Sequence, residues 1–295
     1  MDTLTLRTKH EGGRLYIVQW QWRQQGARLP LGGEIKVSVD EVHQNDVAAL
    51  AELRAIMHLL EVRQIHGTNR MGAGVGIEVS ASSIRKALLR GALKASGAGK
   101  TDKGHIAAAG EFLATKYFEA AISVCSRWRD SEYRAFETQE MVLEMGPTFP
   151  RIKVDCPLLG GPVAVTRHAM YRYIGRIDQG LSRWDENDLS NVPDARFTAA
   201  WVWMQRVFAN PNLEEVAVRP AQLASIQARY GKATRYVRFP DSLIPAVLVV
   251  TQDQTGLAVV TVLREDQAGF IDKPDYVVGQ RIVKGHVHER IKSLR

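Results

Sequence analysis

Asn45–Glu61 reads NDVAALAELRAIMHLLE. Ala48, Leu50, Leu53, Ile56, Met57 and Leu60 recur at helical spacing, so one stripe of the segment is apolar. Asn45 or Asp46 stands where a side chain caps a first helical turn. Upstream, Arg14–Arg23 (RLYIVQWQWR) and Glu34–Val42 (EIKVSVDEV) alternate apolar with polar residues and read as strands, with Gly32-Gly33 as the turn before the second. Downstream come a Gly-rich loop, a strand at Val75–Ser80 (VGIEVS) and a helix opened by Ser82 or Ser83 (SSIRKALLRGAL). A helix HIAAAGEFLATKYFEAA and a strand AISVCSRW follow. This order predicts an α/β layer with helices packed on a mixed sheet.

Asp130–Glu144 is charged and reads as a helix. Gly146–Pro162 then holds four prolines and three glycines, which marks a break between domains. The division predicted is residues 1–146, a linker over 147–163, and a second domain over 164–295 with a basic C-terminal tail. In the second domain Thr166–Ile177 reads as a helix, followed by a polar loop with Asp185, Asn187 and Asn191 and a helix Asp194–Ala209. After a further short helical segment come strands Ala233–Phe239, Ile244–Thr251 and Leu257–Leu263, the last two joined by QDQTG. Helices packed on an antiparallel sheet predict an α+β domain.

The chain has 295 residues, 45% hydrophobic and 24% charged, which fits two globular domains and excludes a disordered, collagen-like or coiled-coil chain. Its longest apolar run, Leu243–Val250, is far below the ~18–20 residues of a membrane helix, so no membrane is expected as a partner. The N-terminal MDTLTLRTKHEGG lacks the layout of a secretory signal. Cys125 and Cys156 show no CxxC spacing, so the sequence predicts a cytoplasmic protein with no metal and no cofactor.

The net charge is +7, and its placement is uneven. Arg85, Lys86, Arg90, Lys94 and Lys100 lie between Val79 and Thr101 without one carboxylate. The last fifteen residues carry five cations, among them Lys284 and Arg290, against the single acid Glu289. Such clusters favour polyanions by counterion release, so nucleic acid is the expected partner, RNA ahead of DNA. A solvated basic face remains the plain alternative.

The order of elements in residues 13–128 resembles the ribonuclease H-like fold. Ala51-Glu52-Leu53-Arg54-Ala55 resembles the Ala-Glu-Leu stretch on that family's first helix, and Val79-Ser80-Ala81-Ser82-Ser83 stands where its members have a strand ending in Asp-Ser. The cationic run from Arg85 falls where many carry a basic substrate-binding handle. The resemblance implies carboxylates that hold two Mg²⁺ ions for phosphodiester hydrolysis. Here the strand at Arg14–Arg23 offers Gln19 and Gln21, Ala81 takes the second Asp position, and Glu52 alone survives. One carboxylate does not hold two Mg²⁺ against their hydration, so a catalytically degenerate domain is expected. Without the resemblance, Glu52 reads as a solvent-facing helix residue.

In Thr166–Arg176 (TRHAMYRYIGR), His168, Arg172 and Arg176 are four apart and share one helix face. With Arg235-Tyr236 on one strand and Thr261 on another, this helix loosely resembles the RelE and barnase-like metal-independent ribonucleases. The resemblance implies His168 as acid or base and Arg172 and Arg235 as phosphate ligands. Tyr236 or Thr261 would orient the 2′-OH or a base, with Arg176 beside the nucleic acid. A His near pKa ~6.5 suits proton transfer, and Arg stabilises phosphate charge without titrating. A basic helix face held by acids such as Asp178 or Asp185 explains the same residues without chemistry.

Other motifs are weaker. Gly97-Ala98-Gly99-Lys100-Thr101 ends like a phosphate-binding loop but has Lys94 where that pattern needs Gly. His286 and His288 lack a third ligand, and Trp201 and Trp203 read as core. Trp20 and Trp22 share a strand face and fit either a stacking platform or a core. Three functions stay open: an endoribonuclease of a mobile element or toxin-like system, a non-catalytic nucleic-acid-binding regulator or accessory protein of phage or plasmid origin, and an assembly protein meeting an acidic partner. Oligomeric state is unspecified by the sequence.

Overall fold

The computed structural model describes the chain except residues 68–70, 91–103, 129, 131, 180–191, 193, 219, 231–233, 241–244, 254, 265–275, 279–280 and 284–295. It is a mixed α/β protein that divides into two compact units, Met1–Ile152 and Lys153–Arg295. Among the described residues no helix is long and apolar enough to cross a membrane.

The first unit is built on β1 (Asp2–Gly12), β2 (Leu15–Arg23), β3 (Leu31–Val39), β4 (Val75–Val79), β5 (Ala121–Val124), β6 (Ala135–Thr138) and β7 (Leu143–Met145). Their order is β5-β4-β1-β2-β3-β6, with β7 also paired to β3. β1, β2 and β3 form an antiparallel meander, and β4 and β5 continue the sheet parallel to β1. Alternation puts Leu4, Leu6, Val18, Trp20, Trp22, Ile35 and Val37 on one face, where they form the core with the helices. Those helices are α1 (Val47–Met57), α2 (Ser82–Arg90) and α3 (Gly104–Lys116), which supply Leu50, Leu53, Ile56, Ile84, Ile106 and Leu113.

The N-terminal segment, not assigned to a strand above, is β1 and lies inside the sheet between β4 and β2. Gly32 and Gly33 are no turn but part of β3, paired with Gln21 and Trp20. A Cβ at Gly32 would sit 2.1 Å from the Tyr133 ring, and one at Gly33 would sit 2.1 Å from the Glu137 carbonyl oxygen. Glycine therefore lets the chain after β5 lie against the sheet. Asp130–Glu144 is not a helix, because its residues supply β6 and most of β7. Asp46 occupies the cap position of α1 in a left-handed conformation and makes no side-chain cap bond. α1 continues into a wider, π-type turn at His58–Val62, which carries the helix to the end predicted for it.

The second unit has a six-stranded mixed sheet, ordered β10-β11-β12-β13-β9-β8. The strands are β8 (Lys153–Cys156), β9 (Gly161–Val165), β10 (Glu214–Glu215), β11 (Thr234–Phe239), β12 (Ala246–Asp253) and β13 (Gly256–Arg264). The predicted linker thus already contains β8 and most of β9, and the break falls at Ile152. The predicted sheet was antiparallel, but β9 runs parallel to β13. β11, β12 and β13 are the three strands expected, and β12 and β13 form the hairpin. The helices are α4 (Arg167–Tyr173), extended by a π-type turn Ile174–Asp178, α5 (Asp194–Phe208) and α6 (Pro220–Tyr230). The loop with Asp185, Asn187 and Asn191 lies outside the described residues. β14 (Tyr276–Val278) and β15 (Arg281–Val283) pair as a separate hairpin.

Candidate functional site

In the first unit, three elements converge on Glu52. Its position on α1 faces the sheet, and the side chain is fully buried. Thr8 follows Leu4 and Leu6 on the core face of β1, and its hydroxyl donates to Glu52 Oε2 at 2.7 Å. Ser80, directly after β4, donates its backbone N–H to Oε1 at 2.8 Å and its hydroxyl to Oε2 at 2.5 Å. Burial pushes the Glu52 carboxyl above its usual pKa, against the opposing pull of these donors. The reading of Glu52 as solvent-facing is therefore wrong. The strand beside it is β1, not the one bearing Gln19 and Gln21, and the position at the end of β4 is Ser80, not Ala81. Sequence reasoning missed Thr8 and Ser80. The period of two through Leu4, Leu6 and Thr8 was the available signal.

The resemblance to the ribonuclease H-like family implies Mg²⁺ at such a convergence. These residues do not fit it. Both oxygens of Glu52 are occupied by protein donors, and its neighbours are hydroxyls instead of carboxylates. Among the described residues no three His, Cys, Asp or Glu side chains gather as a metal site would.

The predicted basic handle is described only in part. Arg85 and Lys86 are exposed on α2, and Arg85 Nε donates to the Ile122 carbonyl at 3.3 Å. Arg90 ends α2, while Lys94, Lys100, Lys284 and Arg290 lie outside the described residues, as does the segment with His286 and His288.

In the second unit, Thr166 caps α4. Its hydroxyl accepts from the Ala169 N–H at 3.1 Å and donates to the Val259 carbonyl at 2.7 Å, which ties the helix start to β13. His168, Arg172 and Arg176 do share a face. Arg172 Nε donates to His168 Nε2 at 3.3 Å, and Arg176 Nη1 donates to the Val262 carbonyl at 2.7 Å and to Thr261 Oγ1 at 3.4 Å. Burial, reinforced by Arg172 and Arg176, pushes the His168 pKa down to about 3. A neutral, buried imidazole that accepts from a guanidinium is poorly set to exchange protons with an RNA near neutral pH.

Of the remaining predicted residues, Thr261 meets this helix face through Arg176, whereas Arg235 and Tyr236 do not join it. Arg235 and Tyr236 are consecutive on β11 and so face opposite sides of the sheet. Arg235 is held by Glu215 through two hydrogen bonds, 2.9 and 2.7 Å long. Tyr236 shares a row with Val249 and Thr261. It is buried among Val216, Val218, Val247 and Leu263, and burial raises its phenol to about 12. Thr261 is buried as well. The tryptophans divide differently from expectation. Trp20 and Trp22 are core, whereas Trp203 is half-buried and stacks on Tyr173 at 4.2 Å.

No protein-family model, curated protein or solved structure matches this chain.

Proposed function

We propose that the chain is a non-catalytic nucleic-acid-binding protein whose first unit is a ribonuclease H-like layer that has exchanged its metal ligands for a hydrogen-bonded staple. The observation that carries this reading is the convergence on Glu52 of β1, α1 and the end of β4, in a sheet whose first five strands are ordered β5-β4-β1-β2-β3. At the three positions where the resemblance calls for carboxylates stand Thr8, Glu52 and Ser80. The three residues now join strand, helix and strand end as a structural clasp.

The basic balance supports the binding half of the reading. The net charge is +7, and the exposed Arg85 and Lys86 belong to a run without carboxylates. The geometry of the second unit supports the non-catalytic half, since His168, Arg235 and Tyr236 do not meet on one open surface. Fluorescence anisotropy with labelled RNA and DNA at two salt concentrations tests binding, which should weaken steeply with salt. Incubation of the same nucleic acids with Mg²⁺ and with EDTA should leave both intact. Salt-independent or absent binding refutes the proposal, and cleavage under either condition restores the enzyme reading.

A further inference from the structure

The core face of the first unit's sheet is covered by α1, α2 and α3, but the opposite face follows a different pattern. Alternation puts Thr3, Thr5, Arg7 and Lys9 of β1 there, together with Ile17, Gln19, Gln21 and Arg23 of β2 and Glu34 and Lys36 of β3. Register aligns Thr3 with Arg23, Thr5 with Gln21, Arg7 with Gln19 and Lys9 with Ile17. Arg7, Lys9 and Arg23 are exposed.

The carboxylates on and beside this face are already engaged. Glu34 accepts from Gln19 at 2.7 Å, Glu78 from Thr5 at 3.0 Å, and Glu11 from Lys36 at 3.3 Å. Among the described residues no carboxylate pairs with Arg7, Lys9 or Arg23. Three cations outside any ion pair with a described carboxylate thus run along β1 and β2 over roughly 20 Å, at about 3.4 Å per residue. Glu34 and Glu78 accept from neutral donors and keep their charge on the same face. Arg7 and Lys9 are two residues apart, roughly 7 Å, a step comparable to that between phosphates of an extended single strand.

An aromatic pair lies on the same face. Phe136 of β6 pairs with Gly32, which pairs with Gln21, so Phe136 belongs to the row of Gln21 and Thr5. Tyr133 lies over Gly32, where a Cβ would collide with its ring, and its hydroxyl accepts from Gln21 Nε2 at 3.0 Å. Phe136 meets Tyr133 edge-on at 5.2 Å and leaves 51% of its surface in solvent. Cations flanking an exposed aromatic are the two components by which sheets hold single strands, through phosphate attraction and base stacking. An acidic protein partner would find the cations but would not account for a glycine-cleared aromatic shelf beside them.

We propose that this open face binds single-stranded nucleic acid, with phosphates along Arg23, Arg7 and Lys9 and a base stacked on Phe136 beside Tyr133. The inference rests on the nucleic-acid reading above and assigns it a surface and a strandedness. The test is anisotropy of the full chain with a labelled single-stranded oligonucleotide and with a duplex of the same sequence. Three variants are compared, Arg7→Glu/Lys9→Glu, Phe136→Ala, and Arg85→Glu/Lys86→Glu on α2. All the altered side chains are exposed, so circular dichroism should be unchanged.

The expected result is a preference for the single strand. The Arg7/Lys9 variant should bind at least about tenfold more weakly, with a salt slope shallower by about 1.4, which is ~0.7 for each phosphate no longer neutralised. Phe136→Ala should bind about five- to tenfold more weakly, in line with stacking on one base, without changing that slope. The α2 variant should weaken single strand and duplex alike, by less than the Arg7/Lys9 variant does, and should keep the preference for the single strand. Binding that survives both sheet variants and falls in the α2 variant overturns this proposal and leaves the nucleic-acid reading standing. Parent protein that binds neither oligonucleotide overturns both. Capture of an acidic polypeptide that Phe136→Ala leaves intact and Arg7→Glu/Lys9→Glu abolishes overturns the single-strand assignment.

Discussion

Ser80 turns both its backbone N–H and its hydroxyl onto the carboxylate of Glu52, at 2.8 and 2.5 Å, while Thr8 completes the set from β1 at 2.7 Å. Residues 44 and 28 positions from Glu52 in sequence are thereby fastened to one side chain. Both oxygens of the acidic group accept from protein donors, and the side chain has no solvent contact. Its role in the fold is that of an acceptor, and its raised pKa follows from the loss of water around it.

Glu52→Gln and Glu52→Ala should therefore differ sharply. Gln keeps an oxygen for the Ser80 N–H, and hydroxyls can accept from its amide, so stability should change by no more than about 1 kcal/mol. Ala leaves the Ser80 N–H without its acceptor and opens a void, at a cost of roughly 3 kcal/mol. Because the folded pKa lies above the unfolded one, the Glu52 contribution is fully present below the unfolded value and is lost as pH rises through the folded value. Urea denaturation at pH 5 and pH 8 checks both points. The advantage of Glu over Gln should be smaller at pH 8.

His168 titrates with the opposite sign. Its folded pKa of about 3 lies below the ordinary 6.5, so protons favour the unfolded chain between those values. The stability due to neutral His168 is present above pH 6.5 and is lost progressively as pH falls toward 3. Between pH 6 and pH 4 the parent protein should lose up to about 1.4 kcal/mol per pH unit more than His168→Gln, whose side-chain oxygen still accepts from Arg172. Denaturation midpoints across that range provide the measurement. A His168 ring whose NMR signals titrate near pH 6.5 would contradict it.

Much of this architecture is legible from local pattern. β2, β4, α1 and the β12–β13 hairpin carry strong periodicity or a turn signal, and all stand within a few residues of their expected limits. β1 escaped because only Leu4 and Leu6 mark its buried face, while its other face is hydrophilic and open. β6 and β7 read as a helix because both are very short, β6 is exposed throughout and β7 buries only Leu143 and Met145, so the charges Glu132, Arg134, Glu137, Glu140 and Glu144 dominate the run. The site was less legible for a different reason. Arg235 reads as a phosphate ligand until Glu215, on a separate two-residue strand, is seen to hold it. Periodicity reports which face a side chain takes, and long-range pairing decides whether its charge is already spent.

The tolerance of the β3 edge follows from two glycines. Gly33→Ala places a methyl group 2.1 Å from the Glu137 carbonyl oxygen and 3.0 Å from Trp20 Nε1. Backbone has no rotamer with which to yield, so β6 must move away from β3, and the ion pair of Arg63 with Glu137 is strained with it. The expected cost is about 1–3 kcal/mol. Hydrogen exchange should show reduced protection at residues 135–138 and little change in β1 and β2. Uniform destabilisation without a local effect there would show that the edge strand is not what the glycine accommodates.

If Thr8 and Ser80 occupy positions that once held metal ligands, restoring acids there should restore a cation requirement. Thr8→Asp with Ser80→Asp puts three carboxylates around one point, two of them replacing donors to Glu52. Like charges at such separation raise one another's pKa and oppose folding unless something neutralises them. In EDTA the double variant should melt well below the parent protein. Millimolar Mn²⁺ or Mg²⁺ should raise its midpoint, by the ordinary linkage of binding to the folded state, and should leave the parent unmoved. Thr8→Asn with Ser80→Asn, equal in size and without charge, separates the packing change from the electrostatic one. A double Asp variant insensitive to divalent cations would mean that these side chains converge as a clasp alone, with no geometry suited to a metal.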